Sequence, residues 1–246
     1  MRGRRGAVAL WRAKGVGYGV VEGEEMTDNT LAQLTGNLLS DALTLLGIPT
    51  NTAIEVFRRH LKAKIDEARD ILLEELRSGN VDSLHVASED EAISIVYRYA
   101  LAARDGAARR NLRLLGKTIV SLAVRDRLYS DEFNKFADIL AHLTRDQILV
   151  LGRLYALFRE EEQTSQDNPQ VKANVWKRLQ DELVPSQFPT ADHITVICSQ
   201  ATGSGLMIAA SAYGGLAYRL SPLMDEIAEL ADFQDTLRAE GEMPEG

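Results

Sequence analysis

A chain of 246 residues with 45% hydrophobic and 26% charged side chains can build one sizeable core or two small ones, and that composition excludes a wholly disordered or an integral membrane protein. A single cysteine, Cys198, can form neither an internal disulfide nor a zinc cage, which points to a reducing compartment. The net charge of -8, from 28 basic and 36 acidic residues, argues against nonspecific binding of nucleic acid or anionic membrane over the whole surface.

Residues 1–25 carry Arg2, Arg4, Arg5, Arg12 and Lys14 among six glycines and show no helical or alternating period. A secretory signal needs an apolar run of about 7 to 15 residues, and here Arg12 cuts the run short. Glu22-Gly-Glu-Glu-Met26 is what a purine-rich ribosome-binding site yields when translated. The biological start is therefore expected at Met26, with residues 1–25 unordered.

Helical punctuation follows. Leu31, Leu34, Leu38, Leu39, Leu43 and Leu46 share one helical face, and Gly47 with Pro49 ends that run. Thr52 and Glu55 have capping-box spacing, opening a helix whose Ile54, Ile65 and Leu76, eleven apart, keep a narrow stripe toward a partner. Gly79 and Asn80 stop it. Ser88 and Glu91 form a second box. Beyond it Ile93, Val96, Tyr97, Ala100 and Leu101 keep phase with Leu112, Leu115, Ile119 and Leu122 across Gly106, so residues 89–124 are expected as one long helix, bent at Gly106. Ser130 is expected to cap a short helix to Leu143, with Phe133, Phe136, Ala137 and Leu140 inward. Thr144 and Gln147 make a third box, opening a helix that runs into the acidic residues 160–162.

A polar loop is expected over residues 163–168, then a helix from Pro169 to Leu183, then a helix capped by Thr190 and running to about Gln200. After Gly203-Ser-Gly205 the period changes. Residues 206–211 and 216–220 read as strands joined by the hairpin turn Ala212-Tyr-Gly-Gly215, and Ser221-Pro222 opens a final helix with Leu223, Ile227, Leu230 and Phe233.

Three helices, a Gly-Leu-Met step into a hairpin, and a return through Tyr218-Arg-Leu-Ser-Pro222 into a helix resemble the winged helix of MarR-like and PadR-like regulators, over residues 144–238. The resemblance implies the fold. The same tail behind a helical body also resembles, more distantly, abortive-infection proteins of the Abi-alpha type, which implies a phage-defence role. Winged-helix regulators place cations on the recognition helix and wing to meet phosphates and bases. Here residues 191–200 and the turn 212–215 contain no lysine or arginine, and residues 145–246 hold 8 basic against 16 acidic side chains. Specific DNA binding is not expected, because each phosphate met without a cation forgoes counterion release.

Chemistry-bearing residues are sparse. Arg98, Arg104, Arg109, Arg110 and Arg113 form the one dense basic feature after Met26, a face for an acidic partner or, more plainly, a solvated face balanced by carboxylates such as Asp105. Asp138 and His142 have the spacing of two metal ligands but read as an exposed i, i+4 pair. Cys198 sits among Ile194, Val196 and Ile197 and reads as a buried, inert thiol. Gly203-Ser-Gly205 lacks the first glycine of a nucleophile elbow and reads as a helix-ending loop. Residues 193–218 contain no Asp, Glu, Lys or Arg, but their glycines fit a hairpin better than a membrane span.

The expected molecule is mainly α, with a helical body over residues 26–143, a winged-helix-like α+β module with one hairpin over 144–238, and an unstructured tail over 239–246. Its expected role is that of a non-enzymatic cytoplasmic interaction or regulatory protein, with no catalytic residue, cofactor or metal and with no membrane insertion. Its expected partner is another protein or a second copy of itself, and a winged-helix DNA-binding regulator is the alternative.

Overall fold

A computed structural model describes residues 52–79, 88–161, 169–212 and 215–240. The leucine face of residues 31–46, the leader 1–25, the loop 163–168 and the last six residues lie outside them. The described chain is mainly helical with one two-stranded antiparallel sheet. In chain order the elements are α1 (Thr52–Ser78), α2 (Glu89–Arg104), α3 (Arg109–Val124), α4 (Ser130–His142), α5 (Arg145–Glu160), α6 (Pro169–Leu183), α7 (Ala191–Gly203), β1 (Met207–Ala212), β2 (Gly215–Leu220), α8 (Pro222–Ala231) and α9 (Phe233–Ala239).

Helix α3 is the centre of the fold. It packs against α1, α4, α8 and α9, which is why Leu112, Leu114, Leu115, Ile119 and Leu122, though they point in different directions, are all buried. Polar groups fix its neighbours as well as apolar ones. Buried Asn111 donates from Nδ2 to the carbonyls of Leu140 (2.7 Å) and Leu143 (2.8 Å), satisfying acceptors that the end of α4 leaves free. Ser121 donates to the Leu230 carbonyl of α8 at 2.8 Å. Tyr99 on α2 is fully buried, and its hydroxyl donates to the Ala68 carbonyl of α1 at 2.9 Å.

The single long helix expected over residues 89–124 is two helices. Gly106 takes φ +92°, a left-handed conformation open to glycine, and turns the chain between α2 and α3. The expected inner face of α2 changes with it: Ile95, Tyr99, Ala102 and Ala103 are buried, whereas Ile93 and Tyr97 stay exposed. Because α2 is flanked by both α1 and α4, its buried side is set by two neighbours and not by continuity with α3. The final helix also divides. Asp232, at φ +39°, ends α8 and its carboxylate accepts the Asp235 amide to start α9.

Caps follow expectation in part. Thr144 and Gln147 form the reciprocal box at α5. Ser88 accepts the Glu91 amide at 3.3 Å, but Glu91 does not return the bond to Ser88; its carboxylate accepts the Ser130 amide. Ser130 therefore begins α4 without capping it, and a carboxylate from α2 takes the cap's role. Thr190 precedes α7 in an extended conformation and makes no side-chain cap.

The hairpin pairs in register, Met207 opposite Leu220 and Ala212 opposite Gly215. Its base closes where the Ser221 amide donates to the Leu206 carbonyl at 3.0 Å. Trp176 on α6 donates from Nε1 to the Tyr218 carbonyl at 3.3 Å, and the two rings lie tilted with centroids 6.0 Å apart. One main apolar cluster runs from Ala68 on α1 to Leu237 on α9, so residues 143 and 144 mark no break in the core.

Candidate functional site

The five arginines singled out from sequence do not lie open on one face. Arg98 is bridged to Asp138 on α4, and Arg104 pairs with its neighbour Asp105 at 2.8 Å. Arg110 is half-buried. Arg109 is exposed and donates to Glu67 on α1 (3.2 Å) and to Glu240 (3.3 Å). Arg113 is buried, with 7% of its side chain exposed.

Around Arg113 the charges form a cluster that joins three parts of the chain. Its guanidinium donates to Glu240 (2.5 Å), Glu75 (2.8 Å) and Glu74 (3.0 Å). One turn on, Lys117 bridges Asp235 on α9 and approaches Glu75 at 3.9 Å. Helix α3 thus presents Arg109, Arg113 and Lys117 at intervals of four, and α1 answers with Glu67, Glu74 and Glu75. Burial by itself would lower the basicity of Arg113; hydrogen bonds to Glu240, Glu74 and Glu75 oppose that and raise it. Asp235 is held below the usual carboxylate range by the Lys117 ammonium. A cationic group with this many carboxylate partners is a permanent charge. It clasps helices and cannot act as a proton donor or acceptor near neutral pH.

Sequence reasoning did not identify Glu75, Lys117, Asp235 and Glu240 as members of this cluster. The matching spacings on α1 and α3 were visible in the sequence; the parallel alignment that sets Arg109 beside Glu67 and Arg113 beside Glu74 and Glu75 was not. Glu240 lies at the start of the tail expected to be unstructured, yet 13% of its side chain is exposed and Arg113 holds it.

Among the other sequence features, Cys198 is buried, and burial pushes its thiol pKa up to about 12. Gly203 ends α7, Ser204 caps it, and Gly205 turns the chain at φ +77°, as a helix-ending loop requires. Asp138 and His142 do not converge: the Asp138 carboxylate goes to Arg98, and the His142 ring meets the Asp138 backbone carbonyl at 2.7 Å. Among the described residues no group of three His, Cys, Asp or Glu side chains could hold a metal, and no helix is long and apolar enough to cross a membrane.

A cleft of about 460 Å³ opens between α5 and the α8–α9 corner, with Tyr155, Arg159, Glu229, Asp232 and Arg238 among its lining. Its lining contains no serine, cysteine or histidine; its polar groups are tyrosine, carboxylates, an amide and guanidinium groups. At its floor Gly152 meets Phe233 so closely that a Cβ on residue 152 would lie 2.8 Å from that of Phe233.

The outward side of α7 is built from Asp192, His193, Val196, Ser199 and Gln200, opposite buried Ile194, Ile197, Cys198 and Ala201. Val196 is 55% exposed. No family model, curated protein or solved structure matches the chain.

Proposed function

We propose that residues 144–238 form a winged-helix-like module that contacts another protein, within a non-enzymatic cytoplasmic interaction or regulatory protein. The order α5, α6, α7, β1, β2, α8 supports the winged reading, as does α6 held to the hairpin through Trp176 and Tyr218. The side of α7 that would enter a groove carries the functional part of the reading. It offers one carboxylate, one imidazole, two small polar groups and an exposed valine, with no lysine or arginine. Duplex DNA presents a phosphate about every 1.7 Å of axis and gives little to a surface without cations. A protein surface rewards an exposed apolar residue ringed by neutral polar groups.

Fluorescence anisotropy with a labelled mixed-sequence duplex at about 50 mM salt tests the reading. No binding is expected. Affinity that falls steeply as salt rises would overturn the proposal and establish the DNA-binding alternative. On the positive side, Val196→Arg is expected to abolish co-purification of the native partner while leaving the thermal midpoint unchanged. A partner that stays bound places its contact elsewhere.

A further inference from the structure

Residues 222–239 carry the signals of one helix and fold as two. No glycine or proline stands between Leu223 and Glu240. On an unbroken helix Leu223, Ile227, Leu230, Phe233 and Leu237 would fall within about 120° of arc, a single apolar stripe. The chain turns instead at Asp232, whose φ of +39° is a left-handed conformation that a residue with a Cβ resists. The bend leaves other groups poorly served. The Gln234 side-chain nitrogen and the hydroxyl of fully buried Thr236 are sequestered without a hydrogen-bond partner.

What holds the bend lies elsewhere in the chain. Breaking the helix at Asp232 frees the carbonyls of Glu229 and Leu230, and α3 takes both: Arg125 donates to the first at 3.3 Å and Ser121 to the second at 2.8 Å. Helix α9 is seated on α3 and α5. Phe233 and Leu237 are buried there, with Phe233 against Gly152. Asp235 pairs with Lys117, and Glu240 meets Arg113 at 2.5 Å and Arg109 at 3.3 Å. Shape and opposite charge thus define the seat, and α9 reaches it through the single hinge residue Asp232. The α9 of a second copy would present the same groups.

We propose that α9 is exchanged between two copies of this chain, with the α3–α5 seat as the interaction surface. When Asp232 takes helical geometry, Pro222 to Ala239 becomes one helix about 27 Å long. The Phe233 and Gln234 amides then donate to the Glu229 and Leu230 carbonyls in place of Arg125 and Ser121. Helix α9 leaves its own seat and fills that of the second copy, which returns its own α9. The exchange is reciprocal, keeps the seat contacts and relieves the left-handed residue. Lost freedom on association opposes it, so concentration sets the balance. This inference stands independently of the role assigned to α7.

Isotope mixing and three variants test it. Equal amounts of isotope-labelled and unlabelled full chain are mixed dilute, concentrated, and treated with a carbodiimide, which couples the Lys117 ammonium to the Asp235 carboxylate it touches. In the dimer fraction about half of the Lys117–Asp235 adducts are expected to join a labelled to an unlabelled peptide, the statistical result of reciprocal pairing. Adducts from the monomer are expected to carry one label. Asp232→Ala removes the cap and the tolerance of a left-handed φ, and is expected to lower the dimer dissociation constant about tenfold; Asp232→Gly is expected to raise it. Ser121→Ala leaves the hinge intact and is expected to shift it in the same direction as Asp232→Ala, which keeps the test decisive if the hinge variant does not fold. Dimer adducts of one label only, equal dissociation constants for the alanine and glycine variants, or a chain that stays monomeric up to about 1 mM would each overturn the proposal.

Discussion

Arg113 illustrates how a buried charge is tolerated. Its three carboxylate partners come from α1 and from the residue after α9, so the guanidinium leaves water only because every face of its fork finds an acceptor. Glu75, with 6% of its side chain exposed, depends on it in return. Arg113→Met is therefore expected to cost about 3–5 kcal/mol in urea denaturation, mostly through the stranded Glu75. Arg113→Met combined with Glu75→Met is expected to recover most of that loss, because the most buried carboxylate is removed with its partner, while Glu240 keeps Arg109 and Glu74 stays exposed to water. A double variant as unstable as the single one would show that the cost lies in packing and not in charge. Acid has a related effect. Glu91, Glu160 and Asp235 all hold their protons more weakly than ordinary carboxylates, through the Ser130 hydroxyl and amide, Arg178 and Lys117 respectively. The unfolded chain then takes up protons first as pH falls. The stabilisation is complete above the ordinary carboxylate values of about 4 and disappears as pH drops through the lowered native ones. The urea midpoint is expected to be level from about pH 6 to 8 and to decline below about 4, less steeply in Lys117→Met. Cys198, with its thiol pushed up to about 12 by burial, is expected to ignore disulfide reagents at about pH 8 until the chain unfolds.

At the level of helices and turns, two glycines separate conformational from steric demands. A side chain at Gly106 meets nothing within 4 Å, so Gly106→Ala costs only the left-handed φ, about 1 kcal/mol. Gly152 has ordinary helical geometry but faces Phe233 at contact distance, so Gly152→Ala is expected to cost about 1–3 kcal/mol and to speed amide exchange selectively in α9. A uniform rise in exchange across all helices would instead point to loss of global stability. These elements also show what the sequence conveyed. The Thr144 box, the Ser221-Pro222 start and the hairpin were legible because their signals are local: a hydroxyl and an amide three residues apart, or glycines between short apolar runs. The division at Gly106 was hidden by a coincidence of phase, since α2 and α3 each carry alanine and leucine on several sides. The cap of α4 was hidden because its acceptor, Glu91, arrives from another helix 39 residues away.

The whole molecule is organised by α3, and this bears on how it unfolds. A boundary between body and tail at residues 143–144 follows naturally from sequence, where a capping box opens a new run of helices. In the folded chain the same α3 that packs on α1 and α4 also packs on α8 and α9, and a single apolar cluster spans both sides of the boundary. The ion links repeat the pattern, with Arg113 and Lys117 reaching Glu240 and Asp235, Arg125 reaching Glu229, and Lys135 reaching Glu226. Sequence periodicity identifies which side of a helix is apolar but not which distant helix covers it, and α3 is apolar enough to be covered by four. If residues 144–246 were an autonomous module, its α8 and α9 would lose their seat on α3 when cut away, exposing Ile227, Leu230 and Leu237, which are now at most 2% exposed. The full chain is therefore expected to unfold in one cooperative step, with circular dichroism and tryptophan fluorescence tracing coincident urea transitions. Trp176, in the tail, would report an earlier or later step if the two parts melted separately. Residues 144–246 expressed alone are expected to bind hydrophobic dye and to lack a sharp transition, and a well-folded fragment would show that α3 is a docking surface for the tail and not a shared core.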